Sequence, residues 1–214
     1  MGMQSIMLSK RLRRMNQYVV GLGLVVLVLL GWAFLKLGIA ERVPEPTFQK
    51  VAVLPHGVEI RAYPPLNIAK TTMRDASLGQ SANEGFRRVA KYLFGGNRDR
   101  EAMAMTAPVV MEMGEQPALY FFMPFDRSLE ALPATVDSSV RLQTQPARTL
   151  AVLRFGGYAR NTVVNRKHQK LRKILAQEGW KVQGPLLYMG YNAPWTLVGR
   201  RNEVALEVVP QPLP

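Results

Sequence analysis

A chain of 214 residues, 48% of them hydrophobic, is long enough for one sizeable core. The formal net charge is +13, which favours anionic over cationic partners. There is no cysteine, which excludes disulfides, iron–sulfur clusters, thiolate metal ligation and cysteine nucleophiles.

The first elements read as a membrane tether. Residues 1–17 form a basic N-terminus, with Lys10, Arg11, Arg13 and Arg14. From Met15 to Leu35 there is no charge, and Tyr18 to Leu35 is almost wholly apolar. At 1.5 Å per residue such a run spans a hydrocarbon core of roughly 30 Å, and in lipid it must be a helix. The spacing predicts a single transmembrane anchor over residues 18–39, with Tyr18 and Trp32 near its ends. The excess of positive charge before it places the N-terminus in the cytoplasm. The rest of the chain is then on the periplasmic or extracytoplasmic side of the inner membrane. The run exceeds the apolar stretch of a cleaved signal peptide, so an uncleaved anchor is preferred. Pro44 and Pro46 begin a linker over residues 40–50, and the proline-rich residues 210–214 read as a tail. Residues 1–45 account for +4, leaving +9 on the remainder, with the basic residues scattered along the sequence.

The domain, residues 51–209, reads as one unit written twice, about 51–125 and 135–209. A shift of 82 lays Val58–Pro64 on Val140–Pro146, both alternating and both stopped by proline. Ile68-Ala69 falls on Leu150-Ala151, opening a second strand in each half. Val89, Tyr92 and Leu93 fall on Leu171, Ile174 and Leu175, which places a helix after it. Ala82, Phe86, Val89, Ala90 and Leu93 form the apolar stripe of the first helix, with Arg87, Arg88 and Lys91 beside it. In the second helix, Lys167, Lys170 and Lys173 stand outside the stripe. Two more strands follow each helix, Met103–Met113 with Leu119–Met123, and Leu186–Tyr191 with Val204–Val209. The fold expected is α+β: a duplicated β-β-α-β-β unit of eight strands, its antiparallel sheet curved or closed into a distorted barrel, with two packed helices.

Candidate chemistry is sparse. His56 lies in a Pro-His-Gly turn and His168 in a Lys/Arg-rich helix, neither at metal-ligand spacing from another ligand. No serine sits in a nucleophile elbow, and Glu112 and Glu115 read as solvated, so no catalytic centre is expected. Gly95-Gly96-Asn97 fits an anion-binding nest, and better a helix C-terminus needing positive φ. Gly156-Gly157 fits a bulge or turn. In Gly199-Arg200-Arg201-Asn202-Glu203 an arginine paired with Glu203 would staple the last strand.

Two separated stretches carry a family resemblance. Lys91–Val109 reads KYLFGGNRDREAMAMTAPV, and Gly190-Tyr191-Asn192-Ala193-Pro194 precedes Gly199–Glu203. Together they resemble the signature of the SOUL/haem-binding protein family, over about Val58 to Val208. The resemblance implies a curved sheet with two outer helices, and haem or another porphyrin bound in a shallow groove on the first helix, Asn83 to Phe94. Carried over by position, Phe86, Val89, Ala90 and Phe94 would contact the macrocycle and Lys91 would face a propionate. Asn83 stands where a family member has an arginine, and Arg87 or Arg88 would compensate. Ala62 stands where one branch has an axial histidine, so the haem would be held without one. Met103 and Met105 could be axial ligands but read as core filler. The expectation is a membrane-anchored, non-catalytic tetrapyrrole-binding or buffering protein with no nucleic-acid partner. The alternative is an effector- or protein-interaction module of the same fold with a non-haem hydrophobic ligand.

Overall fold

The computed structural model describes residues 43–193, 196 and 198–210. The expected anchor, residues 18–39, lies outside them. Among the described residues no helix is long and apolar enough to cross a membrane.

In chain order the elements are β1 (Gln49–Leu54), a 3-10 turn (Pro55–Gly57), β2 (Val58–Tyr63), β3 (Leu66–Thr72), α1 (Gln80–Leu93), β4 (Val109–Met113), β5 (Ala118–Phe122), β6 (Val140–Gln145), β7 (Arg148–Gly156), α2 (Asn161–Gln177), β8 (Trp180–Gly190) and β9 (Arg201–Pro210). The strands make one antiparallel sheet in the order β1-β2-β7-β9-β8-β4-β5-β3-β6. It is curved and unclosed, with β1 and β6 as its edges, so the closed-barrel form of the expectation is not adopted. The count is nine strands rather than eight. The additional strand is β1, which the sequence reading divided between linker and domain, because its alternation Gln-Lys-Val-Ala-Val-Leu is short and largely exposed.

Both faces of the sheet are buried, by different means. One face, with Ile60, Ala69, Phe121, Leu153 and Leu206, packs under Val89 and Leu93 of α1 and Leu171 and Leu175 of α2. The other face, with Ile68, Val110, Tyr120, Phe122, Val152, Leu187 and Ala205, is covered by neither helix among the described residues. These side chains are dry because the sheet curls and brings its strands against one another. Hence β5, Ala-Leu-Tyr-Phe-Phe, is buried at every position and cannot alternate polar with apolar.

β2 and β6, which the 82-residue shift superposes, lie at opposite ends of the sheet. β2 pairs with β7, and β6 with β3. One expected strand is shorter than the sequence reading has it. Residues 103–108 are irregular and only Val109–Met113 is a strand. Pro108 has no N–H to offer a ladder, and the Ala107–Pro108 bond is cis. Thr106 anchors this segment by donating its hydroxyl to the Phe122 carbonyl at 2.7 Å. Met103 is buried in the core beneath α1, and Met105 packs against the same cluster.

Candidate functional site

α1 divides the seven expected site residues between its two faces. Val89 and Ala90 are buried, and Phe86 is half-buried with its ring 5.2 Å from that of Phe121. These three are core, as a stripe facing β3, β5 and β6 must be. Asn83, Arg87, Lys91 and Phe94 are exposed and fall at i, i+4, i+8 and i+11, one stripe along the outer surface. Phe94 is 61% exposed, more than Phe48 or Phe125. Arg87 donates only to the Asn83 carbonyl, at 3.3 Å, and among the described residues neither Arg87 nor Lys91 has an ion-pair partner. Arg88 is committed inward: it donates to the Thr72 carbonyl at 3.1 Å and lies 3.9 Å from Glu84. Hydrogen bonds from Ser139, and then the Arg88 and Lys91 charges, hold the Asp137 carboxyl below its ordinary value, which puts Asp137 close to the end of this stripe. Its neighbour Val136 is 70% exposed. The arrangement is a shallow surface with apolar area at one end and, beside it, two cations outside any ion pair among the described residues. It can hold a flat, dianionic molecule.

The glycines after α1 terminate it. Gly95 has φ +92°, and the Gly96 N–H donates to the Lys91 carbonyl at 2.8 Å. A Cβ on Gly96 would sit 2.5 Å from that same carbonyl oxygen, so only glycine fits. Asn97 is 3% exposed and fully engaged. Its Nδ2 donates to the carbonyls of Tyr92 (3.0 Å) and Glu101 (2.6 Å), and its Oδ1 accepts from the Glu101 N–H (3.0 Å). The motif therefore holds Phe94 outward rather than binding an anion itself.

Among the described residues neither histidine lies on this surface. His56 sits in the turn between β1 and β2 with φ +61°. His168 lies on α2, its Nε2 buried without a partner, and burial and then Arg172 push its imidazole down from the ordinary value. Ala62 lies on β2, paired with β1 and β7, away from the strands on which α1 packs. Among the described residues no group of three His, Cys, Asp or Glu side chains could hold a metal. The residues of α1 thus fit the face and the carboxylates of a porphyrin, and offer nothing to its iron.

The downstream motif builds a different cluster. Glu203 is fully buried and Arg61 is 5% exposed, with Arg61 Nη1 donating to Glu203 Oε2 at 2.9 Å. Arg61 also donates to Glu59 (2.8 Å) and stacks over Phe48 at 4.5 Å. Tyr191 donates to Glu203 at 2.7 Å, and burial followed by that carboxylate raises its phenol far above the ordinary value. Burial opposes the Arg61 charge, but pairing with Glu203 more than offsets this and holds the guanidinium charged. Arg201 pairs with Glu203 (3.1 Å) and with both carboxylate oxygens of Glu45 (2.9 Å), while its N–H donates to Asn192 Oδ1 at 2.6 Å. The staple expected at Glu203 is present, with Arg201 as its nearer arm. Arg61 and Phe48 were not foreseen, because partners 142 residues apart leave no local signal. The Ala107 N–H donates to the Pro44 carbonyl at 2.9 Å, so residues 44–48 lie along the domain.

A cavity of about 750 Å³ opens at one end of the helix-free face, between Lys70, Glu112, Arg141, Gln143 and Pro185. Its floor is the Lys70–Glu112 ion pair at 2.5 Å. Its walls are polar and charged, which suits hydrophilic rather than hydrophobic occupants.

The SOUL heme-binding protein profile matches residues 43–207. Heme-binding protein 1 of Xenopus laevis is 27% identical over 153 residues, covering 68% of this chain and 80% of that protein. Heme-binding protein 2 of Homo sapiens is 27% identical over 161 residues, covering 71% and 78%. Among solved structures, the EcmrR C-terminal domain superposes with a TM-score of 0.56 at 9% identity, over 76% of this chain and 98% of that one. A hydrolase from Listeria innocua superposes with a TM-score of 0.50 at 9% identity, over 81% and 96%. These two likenesses are of fold alone. The profile match spans more than three quarters of the sequence and includes both signature stretches, and the chain belongs to the SOUL heme-binding protein family.

Proposed function

We propose that this protein is a membrane-anchored tetrapyrrole-binding protein that binds or buffers haem or a related porphyrin without catalysis. Family membership and the heme-binding names of its relatives support the ligand class. The observation that carries the choice of site is the outer stripe of α1. There Phe94 offers an exposed ring, and Arg87 and Lys91 offer cations that form no ion pair among the described residues. Haem, when bound, supplies a flat apolar face, two propionates and its iron. Phe94 covers part of the face, Lys91 and Arg87 take the carboxylates, and Asn83 extends the polar rim. Phe86, Val89 and Ala90 act from beneath, fixing the helix that presents them. Neither His56 nor His168 stands on this stripe, so the iron would be held without a histidine from it. The anchor over residues 18–39 would hold the domain at the inner membrane on the periplasmic or extracytoplasmic side. The matching offsets of β2 with β6, β3 with β7 and α1 with α2 support a duplicated ancestral unit.

Titrating hemin into residues 43–214 tests the reading. One-to-one binding is expected, with a Soret band lacking the bis-histidine signature. Lys91→Glu should weaken binding about tenfold or more, while Lys181→Glu, on β8, should not. An unchanged hemin spectrum would favour the alternative, an effector module for a non-haem ligand. Equal effects of the two substitutions would show that net charge, and not α1, holds the porphyrin.

A further inference from the structure

The second helix carries five basic residues and no acidic one, and the haem reading leaves them unused. α2 has Arg166, Lys167, Lys170, Arg172 and Lys173 and no acidic residue over its 17 positions. Val164, Leu171, Ile174 and Leu175 are buried against the sheet, which turns Arg166, Lys170 and Lys173 outward at i, i+4 and i+7. Among the described residues none of these three has a hydrogen-bond or ion-pair partner, whereas Arg74, just before α1, and Arg88, within it, share Glu84. Lys167 lies apart, over the Phe155 ring at 5.9 Å. Of the other groups facing this surface, Arg160 adds charge at the helix start, and His168, its basicity lowered by burial and Arg172, adds little at neutral pH.

The start of α2 follows β7, whose last residue is in register with the strand end that holds Glu45. Arg201 holds Glu45 with two 2.9 Å contacts, and Arg201 is in register with Gly156. α2 begins at Asn161, so no more than roughly 18 Å of chain separates its start from Gly156. We propose that the outward face of α2 docks on an anionic phospholipid surface, with Arg166, Lys170 and Lys173 taking the lipid phosphates. This rests on the membrane-anchored reading above. Clustered lysines and arginines near a bilayer are attracted by anionic headgroups within about a Debye length, and 1 M salt removes the attraction.

The absence of cysteine makes the test direct. A fluorophore on Gln169→Cys, in the middle of the outward face, reports contact with headgroup-quencher lipids. The full chain is reconstituted into phosphatidylcholine vesicles with and without roughly one phosphatidylglycerol in three. Flotation with pure phosphatidylcholine reports the anchor by itself. The docking surface requires quenching several-fold stronger in the phosphatidylglycerol vesicles, lost in high salt and in the Arg166→Glu/Lys170→Glu/Lys173→Glu variant. It also requires no such change for a fluorophore on Glu115→Cys. Equal quenching in the two vesicles, or quenching that survives the triple substitution, overturns it. So does a fluorophore that responds to a single-stranded polynucleotide and not to phosphatidylglycerol, which would assign the face to nucleic acid.

Discussion

Asn97 shows how a single side chain can set up a surface it does not belong to. Its amide closes the end of α1, and its carbonyl oxygen receives the Glu101 N–H, all with almost no solvent. Removing the side chain strands two carbonyls and one N–H. Asn97→Ala should therefore lower stability by roughly 2–4 kcal/mol, read as a shift of the urea midpoint at constant m. Asn97→Asp keeps the acceptor but loses both donations and buries a carboxylate beside carbonyl oxygens, so it should be no better. Such a role was half legible in the sequence. Gly-Gly-Asn after a helical stripe announces a helix end, but nothing local says that the asparagine is buried. At Glu203 the adjacent Arg201 was legible for the same reason of proximity, and Arg61 was not.

At the scale of elements, alternation located β2 and β6, and the 3.6-residue period located both helices. What the period could not decide was which part of a helix a ligand would meet. Phe86, Val89 and Ala90 follow the apolar stripe inward, and Phe94, just past the last turn, is turned out by the glycine-closed end. The geometry of that end makes a sharp contrast testable. Gly96→Ala places a Cβ 2.5 Å from the Lys91 carbonyl oxygen and should cost roughly 2 kcal/mol or more. Gly157→Ala, at φ +80° with nothing within 4 Å, should cost about 1 kcal/mol from backbone conformation alone. Thermal denaturation of the two variants side by side separates steric exclusion from conformational preference. The basic residues of α2 follow the same logic in reverse. Along the sequence Arg166, Lys167, Lys170, Arg172 and Lys173 form one basic run, and the helical repeat brings Arg166, Lys170 and Lys173 to one side of it.

For the whole molecule, the pairing of β2 with β7 and of β3 with β6 is the feature with the widest reach. Neither half of the sheet contains all of its own hydrogen-bond partners. A chain ending at residue 127 would leave β3 without β6, β4 without β8 and β2 without β7. Residues 43–127 expressed alone should accordingly show no cooperative unfolding transition by circular dichroism, whereas residues 43–214 should show one. A self-sufficient first half would contradict the topology. The consequence lies in the order of synthesis. Ribosomes deliver β2 and β3 long before β7 and β6, and β4 long before β8, so β2 and β3 wait with open edges until residues 140–156 are made and β4 until residues 180–190. A polypeptide in that condition stays threadable through a narrow channel for most of its production, and is exposed to proteases and to wrong strand partners for the same interval.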